Sequence, residues 1–144
     1  MDITFSLPHV FYPGSNPEEN ADALRLLLDM LVGQNLAYLR SHAALPLYQS
    51  GVRYGRTKVW DTIPALYQRR YGDCKSLACA RVAELKLYGH EARPVFRFAH
   101  GNGGKLLFHI LVERVDNYGR ISYEDPSKAL GMGADELRYF QTGT

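Results

Sequence analysis

Tyr71-Gly72-Asp73-Cys74-Lys75-Ser76-Leu77-Ala78 is the stretch from which the fold can be read. Tyr71, Gly72 and Asp73 are turn formers, and a helix begins at the residue after them. Leu77, Ala78, Val82 and Leu85 recur at spacings of one, four and three, which places them on one buried helical face. Gly89, after Leu87 and Tyr88, is where such a helix stops in a left-handed residue. Cys74 is therefore predicted in the first turn, where four backbone N–H groups lack intrahelical partners. The positive end of the helix dipole favours thiolate over thiol there, and Arg69, Arg70 and Lys75 add positive charge nearby in sequence. A free thiol titrates at about 8.5 and such settings lower it by roughly one to several units. Each unit amounts to about 1.4 kcal/mol in favour of the charged form. The expectation is a nucleophilic cysteine. The alternative is a packing cysteine, because this residue type is among the most buried.

The chain of 144 residues suits one domain, with a helical N-terminal part at about 16–41 and a motif-bearing core at about 52–126. Hydrophobic residues make up 46% and charged residues 22%, enough for a core without disulfide or metal staples. A net charge of +2 is too small to argue for nucleic acid or a membrane surface as partner. No apolar run approaches the roughly 20 residues of a membrane span. Met1 to Phe5 carries neither a basic start nor a long apolar stretch, so no signal peptide and a cytoplasmic location are expected. The two cysteines, Cys74 and Cys79, are five apart on one predicted helix. That is about 500° of rotation, so they point to different sides and suit no intrahelical disulfide. No second Cys/His pair stands at zinc-ligand spacing, and no calcium-loop pattern is present. Two free thiols in a reducing compartment are expected, with Cys79 as packing and with no metal or cofactor.

Outward from the central helix, Asn16-Pro17-Glu18-Glu19 is a helix start: Asn16 caps, Pro17 suits the first position and Glu19 can close the capping box. Leu24, Leu27, Leu28 and Leu31 line one face, predicting a helix from about Pro17 to about Arg40, weakened at Gly33. Ile3 to Leu7 alternates as a short edge strand ended by Pro8. Val52-Arg53-Tyr54 reads as a short strand or extended loop, and Asp61 to Tyr67 as a short helix capped by Asp61 or Thr62. Ala92 to Phe98 is rich in strand formers, with Pro94 placing it at an edge. Gly101-Asn102-Gly103-Gly104-Lys105 reads as a hairpin turn. A phosphate loop would need Ser or Thr where Leu106 stands. Leu106 to Glu113 is a largely apolar, central strand, and Arg120 to Glu124 alternates as the next. Asp125-Pro126 ends it, Gly131 and Gly133 form a loop, and Asp135 starts a short closing helix through Phe140.

His109 inside an apolar strand can be a hydrogen-bonded core histidine, and Asp125 can be the self-bonded Asp of an Asp-Pro turn. Together they say more. A three- or five-residue connection centred on Asn117 places His109 directly opposite Asp125, Cβ atoms roughly 5 Å apart. A carboxylate so placed accepts from one ring nitrogen and frees the other as a base, the orienting role in a nucleophile triad. A two-residue loop would set Ile110 there instead. His9, His42, His90 and His100 have no partner at a telling offset and read as surface or structural.

Tyr71 to Ala78, Gly89 closing the helix, Phe108-His109-Ile110-Leu111-Val112-Glu113 and Asp125-Pro126 together resemble the core of the transglutaminase-like superfamily, in its small stand-alone bacterial or phage-type form. The resemblance spans about Val52 to Pro126. It implies an α+β, papain-like fold with the nucleophile helix packed on an antiparallel sheet. It implies Cys74 as nucleophile, His109 as general base and acid, and Asp125 as orienting carboxylate. The oxyanion would be met by the Cys74 backbone N–H and by a second, upstream donor, for which Trp60 and Tyr54 are candidates; Trp60 can equally be core. Ser76 stands where many bacterial members carry an acid. The implied activity is acyl transfer on a protein or peptide substrate without a cofactor. Hydrolysis, as a cysteine peptidase or amidase, is the first reading. The alternatives are glutamine–lysine crosslinking and a non-catalytic binding or structural module that keeps the fold.

Overall fold

The computed structural model describes residues 4, 6–12, 14–100 and 106–133. The long helix α1, Pro17–Ser41, begins as its sequence dictates, with the Asn16 side chain accepting from the N–H groups of Glu18 at 2.8 Å and Glu19 at 3.3 Å. It passes through Gly33 without a break and buries Leu24, Leu28, Leu31 and Val32. A single 3-10 turn at Leu47–Gln49 leads to the two-residue strand β1, Arg53–Tyr54. Helix α2, Ile63–Arg69, is not capped by its own neighbours. The Thr62 side chain makes no cap bond, and the Ile63 N–H instead donates to Asn35 Oδ1 of α1 at 2.8 Å. Asn35 is wholly buried, so a tertiary contact replaces the local cap.

The predicted turn at Tyr71-Gly72 is in fact a strand, β2, paired in parallel with β1 through Arg53↔Tyr71 and Tyr54↔Gly72. A two-residue ladder leaves no periodic trace in a sequence. Gly72 is needed for closeness: a Cβ there would lie 2.5 Å from Leu66 Cδ1, so only glycine lets α2 press against the start of the next helix. That helix is α3, Cys74–Leu87.

The remaining strands, β3 (Glu91–His100), β4 (Leu106–Val115) and β5 (Ile121–Glu124), form an antiparallel sheet in that order, with β4 central. Helix α4, Pro126–Ala129, follows β5 where the sequence reading had only a loop. The architecture is mixed α+β, with α3 between α1 and the sheet. The β4–β5 register differs from the expected one. Val112 faces Glu124 and Val115 faces Ile121, so the connection is centred on Tyr118 and extrapolates to Leu111 opposite Asp125. Asp116 N–H donates to Arg120 O and Gly119 N–H to Asp116 O, both at 3.0 Å, with Gly119 at φ +79°. The left-handed position at Gly119 sets the centre one residue later than Asn117. Moving the centre by one residue displaces the pairing by two. A shift of two keeps every side chain on its face, whereas a shift of one would turn Asp125 away from His109.

Thr4, Ser6 and Leu7 belong to no strand, and the rest of the expected N-terminal strand lies outside the described residues. The Gly101–Lys105 connection and the closing helix from Asp135 to Phe140 also lie outside them. Among the described residues no helix is long and apolar enough to cross a membrane.

Candidate functional site

Helix α3 is buried around most of its circumference, not along the single face that its spacing suggests. One side, Cys74, Ala78, Cys79, Val82 and Leu85, packs with Leu24, Leu28, Ile110 and Val112. The opposite side, Leu77 and Ala80, packs with Leu47, Val52, Ile63 and Leu66. Small residues at Ser76, Ala78, Ala80 and Ala83 let several elements approach at once.

Cys74 is the first residue of α3 and is 8% exposed. Its thiol donates to the carbonyl of Phe108 at 3.9 Å, and the backbone N–H of Ile110 bonds the sulfur as well. These are the two residues that flank His109 on β4. An N–H carries one proton, so the Ile110 group given to sulfur is not given to β3. It points to the other edge of β4, which β5 leaves uncovered because its last pair is Glu124 with Val112. The head of α3 thus fills a notch in the sheet beside His109.

His109 is 3% exposed, and its Nε2 lies 2.9 Å from Asp125 Oδ2. Asp125 is the N-cap of α4, its Oδ1 accepting from the Lys128 N–H at 3.1 Å. Both carboxylate oxygens are therefore engaged, one by the helix and one by the ring. The two sequence readings of Asp125, turn residue and histidine partner, hold together. A carboxylate only accepts, so Nε2 carries the proton and Nδ1 is the basic nitrogen of the neutral ring. The contact expected from sequence is present although the register that suggested it is not. It runs diagonally, from a residue just past the end of β5.

The electrostatics of Cys74 reverse the sequence expectation. Burial, and then the neighbouring Asp73 carboxylate, push the thiol from its ordinary value of 9.0 up to about 12, against the pull of the Ile110 and Lys75 N–H groups and the Lys75 charge. The positive charges counted in the sequence are committed elsewhere. Arg69 Nε bonds Asp61 Oδ2 at 2.6 Å. Lys75, only 3% exposed, bonds Asp73 and the Thr57 carbonyl (3.0 Å), with its ammonium 5.6 Å from the centroid of the Trp60 ring. Burial also raises Asp73, against the attraction of Lys75. Cys74 at rest is a neutral thiol. Cys79 is buried with its Sγ 3.7 Å from Leu28 O, and burial holds its thiol well above the ordinary range; both cysteines are free.

Of the two side chains considered as oxyanion donors, Trp60 packs against the cluster that contains Cys74, whereas Tyr54 packs against the cluster across α3. Ser76 is fully buried and accepts the Asp61 N–H at 3.1 Å. His9, His42 and His90 are exposed, His42 stacking on Tyr38. Two surface hollows, of about 270 and 540 Å³, are lined by other residues than Cys74, His109 and Asp125. No group of three or more His, Cys, Asp and Glu residues able to hold a metal occurs among the described residues.

A second polar cluster escaped the sequence reading. Arg81 Nε bonds Glu124 Oε2 at 2.6 Å, and Tyr48 Oη bonds the same oxygen at 2.6 Å. Arg81 Nη1 reaches Glu84 Oε2 at 3.3 Å, Glu84 Oε1 accepts the Leu47 N–H at 2.6 Å, and Arg114 Nη1 reaches Glu124 Oε1 at 3.4 Å. Burial works against the charge on Glu124, yet Arg81 and Tyr48 hold it below the usual range; burial raises Glu84. The one local hint was a charged pair, Arg81 and Glu84, three apart in the apolar middle of the helix. Set against models of protein families, curated proteins and solved structures, the chain matches none.

Proposed function

We propose that the chain is a thiol-dependent acyl-transfer enzyme of transglutaminase-like type, with Cys74 as nucleophile, His109 as general base and acid, and Asp125 as orienting carboxylate. The observation that carries the reading is the buried His109–Asp125 pair, 2.9 Å apart, beside a thiol anchored on the backbone to either side of that histidine. Because the thiol is neutral at rest, attack and deprotonation go together. The Cys74 proton passes to Nδ1 of His109 as the sulfur adds to an amide carbonyl, and Asp125 stabilises the imidazolium. The oxyanion is met by the Cys74 backbone N–H at the head of α3 and by a donor on the Trp60 side. The C–N bond then breaks as the imidazolium protonates the leaving amine, which gives a thioester. Water, deprotonated by His109, adds to the thioester. The C–S bond breaks, the acid leaves, and the thiol is restored. The substrate is a protein or peptide amide, and the reaction is hydrolysis in a cytoplasmic setting.

The burial of Cys74 and His109 favours a second reading, a non-catalytic module that keeps the arrangement for packing. Iodoacetamide labelling at neutral pH separates the two. Faster modification of Cys74 than of Cys79, slowed by His109→Ala, supports the enzyme; equal, slow labelling of both cysteines supports the module. Ammonia release from a glutamine peptide, measured with and without a primary amine, then checks the acceptor. Amine incorporation without net hydrolysis would replace hydrolysis by crosslinking.

A further inference from the structure

Glu124 and Asp125 are consecutive, and a strand sends consecutive side chains to opposite faces. Glu124, paired with Val112, belongs to the face that α3 covers, where Arg81 grips it in a two-point contact at 2.6 and 3.3 Å. Tyr48 adds its hydroxyl, and its ring lies 5.0 Å from the Arg81 guanidinium carbon. Glu84, itself fixed by the Leu47 N–H, holds the guanidinium from the other side. Asp125 leaves the opposite face toward His109. Strand β5 is only four residues long and its far end is a turn, so its ladder alone fixes Asp125 weakly.

We infer that Arg81, through Glu124, is the positioning residue of the proposed triad: it locks the end of β5 to α3 so that the Asp125 carboxylate meets Nε2 of His109. The inference rests on the proposed function, since a positioned base matters only where a base is used. The same helix supplies the nucleophile at its head and the clamp two turns later, so sulfur, ring and carboxylate are referred to one rigid body.

The test is spectroscopic and uses the full chain labelled with ¹⁵N-histidine. An imidazole N–H bonded to a buried carboxylate exchanges slowly with water and gives a resolved signal, assigned to His109 by its loss in His109→Gln. Asp125→Asn removes the charged acceptor and should abolish the signal. Arg81→Met, which removes the two-point contact with Glu124, should speed its exchange by about tenfold or more. Arg81→Lys should restore part of the protection, and Tyr48→Phe should have a smaller effect than Arg81→Met. Unchanged exchange in Arg81→Met, with the signal still lost in Asp125→Asn, overturns the positioning role and leaves the triad standing. No protected signal in the wild type overturns both. If Arg81→Met does not fold, Glu124→Gln, which keeps shape and removes charge, carries the same decision.

Discussion

The polar groups at Cys74 and those at Arg81 lie on one helix, about two turns apart, the first meeting β4 and the second the end of β5. At Arg81 nearly every charge is answered: two carboxylates, two guanidiniums and a phenol meet at 2.6–3.4 Å, and a backbone N–H fills the remaining oxygen. At Cys74 the sulfur has only backbone partners, a long contact at 3.9 Å to the Phe108 carbonyl and the Ile110 N–H, and burial and a nearby carboxylate oppose its ionisation. A saturated cluster fixes geometry, whereas an unsaturated one keeps a group in reserve for something outside the protein. On the function proposed above, one region is the frame and the other would be the chemistry.

The largest effect that would break this contrast is on activity. With a peptide amide as substrate, Cys74→Ala should remove turnover, and Asp125→Asn should lower kcat by about 10⁴-fold, while thermal unfolding stays cooperative. A loss of a few-fold only would demote the unsaturated cluster to packing. At the saturated cluster the order inverts. Glu84→Ala leaves the Leu47 N–H and part of Arg81 unpaired in the interior, and should cost about 3 kcal/mol in urea unfolding. The preference of iodoacetamide for Cys74 over Cys79 should survive it. A stability loss below about 1 kcal/mol would mean that the clamp is dispensable.

The raised thiol sharpens the contrast through pH. Folding prefers protonated Cys74, whose folded value of about 12 stands above its ordinary 9.0. Its contribution is therefore complete below about pH 9 and fades as pH rises toward 12. Unfolding free energy measured over that window should fall less steeply in Cys74→Ala than in the wild type. Equal slopes would show that the thiol is not held neutral by the fold. The smallest effect lies away from both clusters: Asn16→Ala removes the α1 cap and should cost about 1 kcal/mol, with no change in labelling of either cysteine.

Much of this arrangement was legible where the chain speaks locally. The Asn16-Pro17 start, the α3 helix and the two longer strands follow from spacing and turn chemistry, and the pairing of His109 with Asp125 follows from strand parity. Parity survived an error in register because the turn is centred on Tyr118, not Asn117, and Gly119 takes the left-handed position. What was not legible depends on distant partners. The charge state of Cys74 was not legible because burial and then the Asp73 carboxylate raise its thiol, while Arg69 and Lys75 serve Asp61 and Asp73, facts of packing that adjacency in sequence does not disclose. Arg81 and Glu124 are 43 positions apart, and Tyr48 and Glu124 are 76 apart, with no local pattern to join them. The α2 cap was missed for the same reason, since Asn35 comes from another helix.

Strand β5 stops at Glu124 while β4 continues past it. Its shortness works as a ruler. Two more extended residues in the same register would set Asp125 opposite Leu111 and Pro126 opposite Ile110, and the second rung would take the Ile110 N–H that now serves the sulfur. Pro126, which cannot donate to a ladder and starts α4 instead, is the stop that keeps that rung vacant. A proline with no chemistry of its own thereby leaves a backbone N–H of the sheet to a cysteine of the helix.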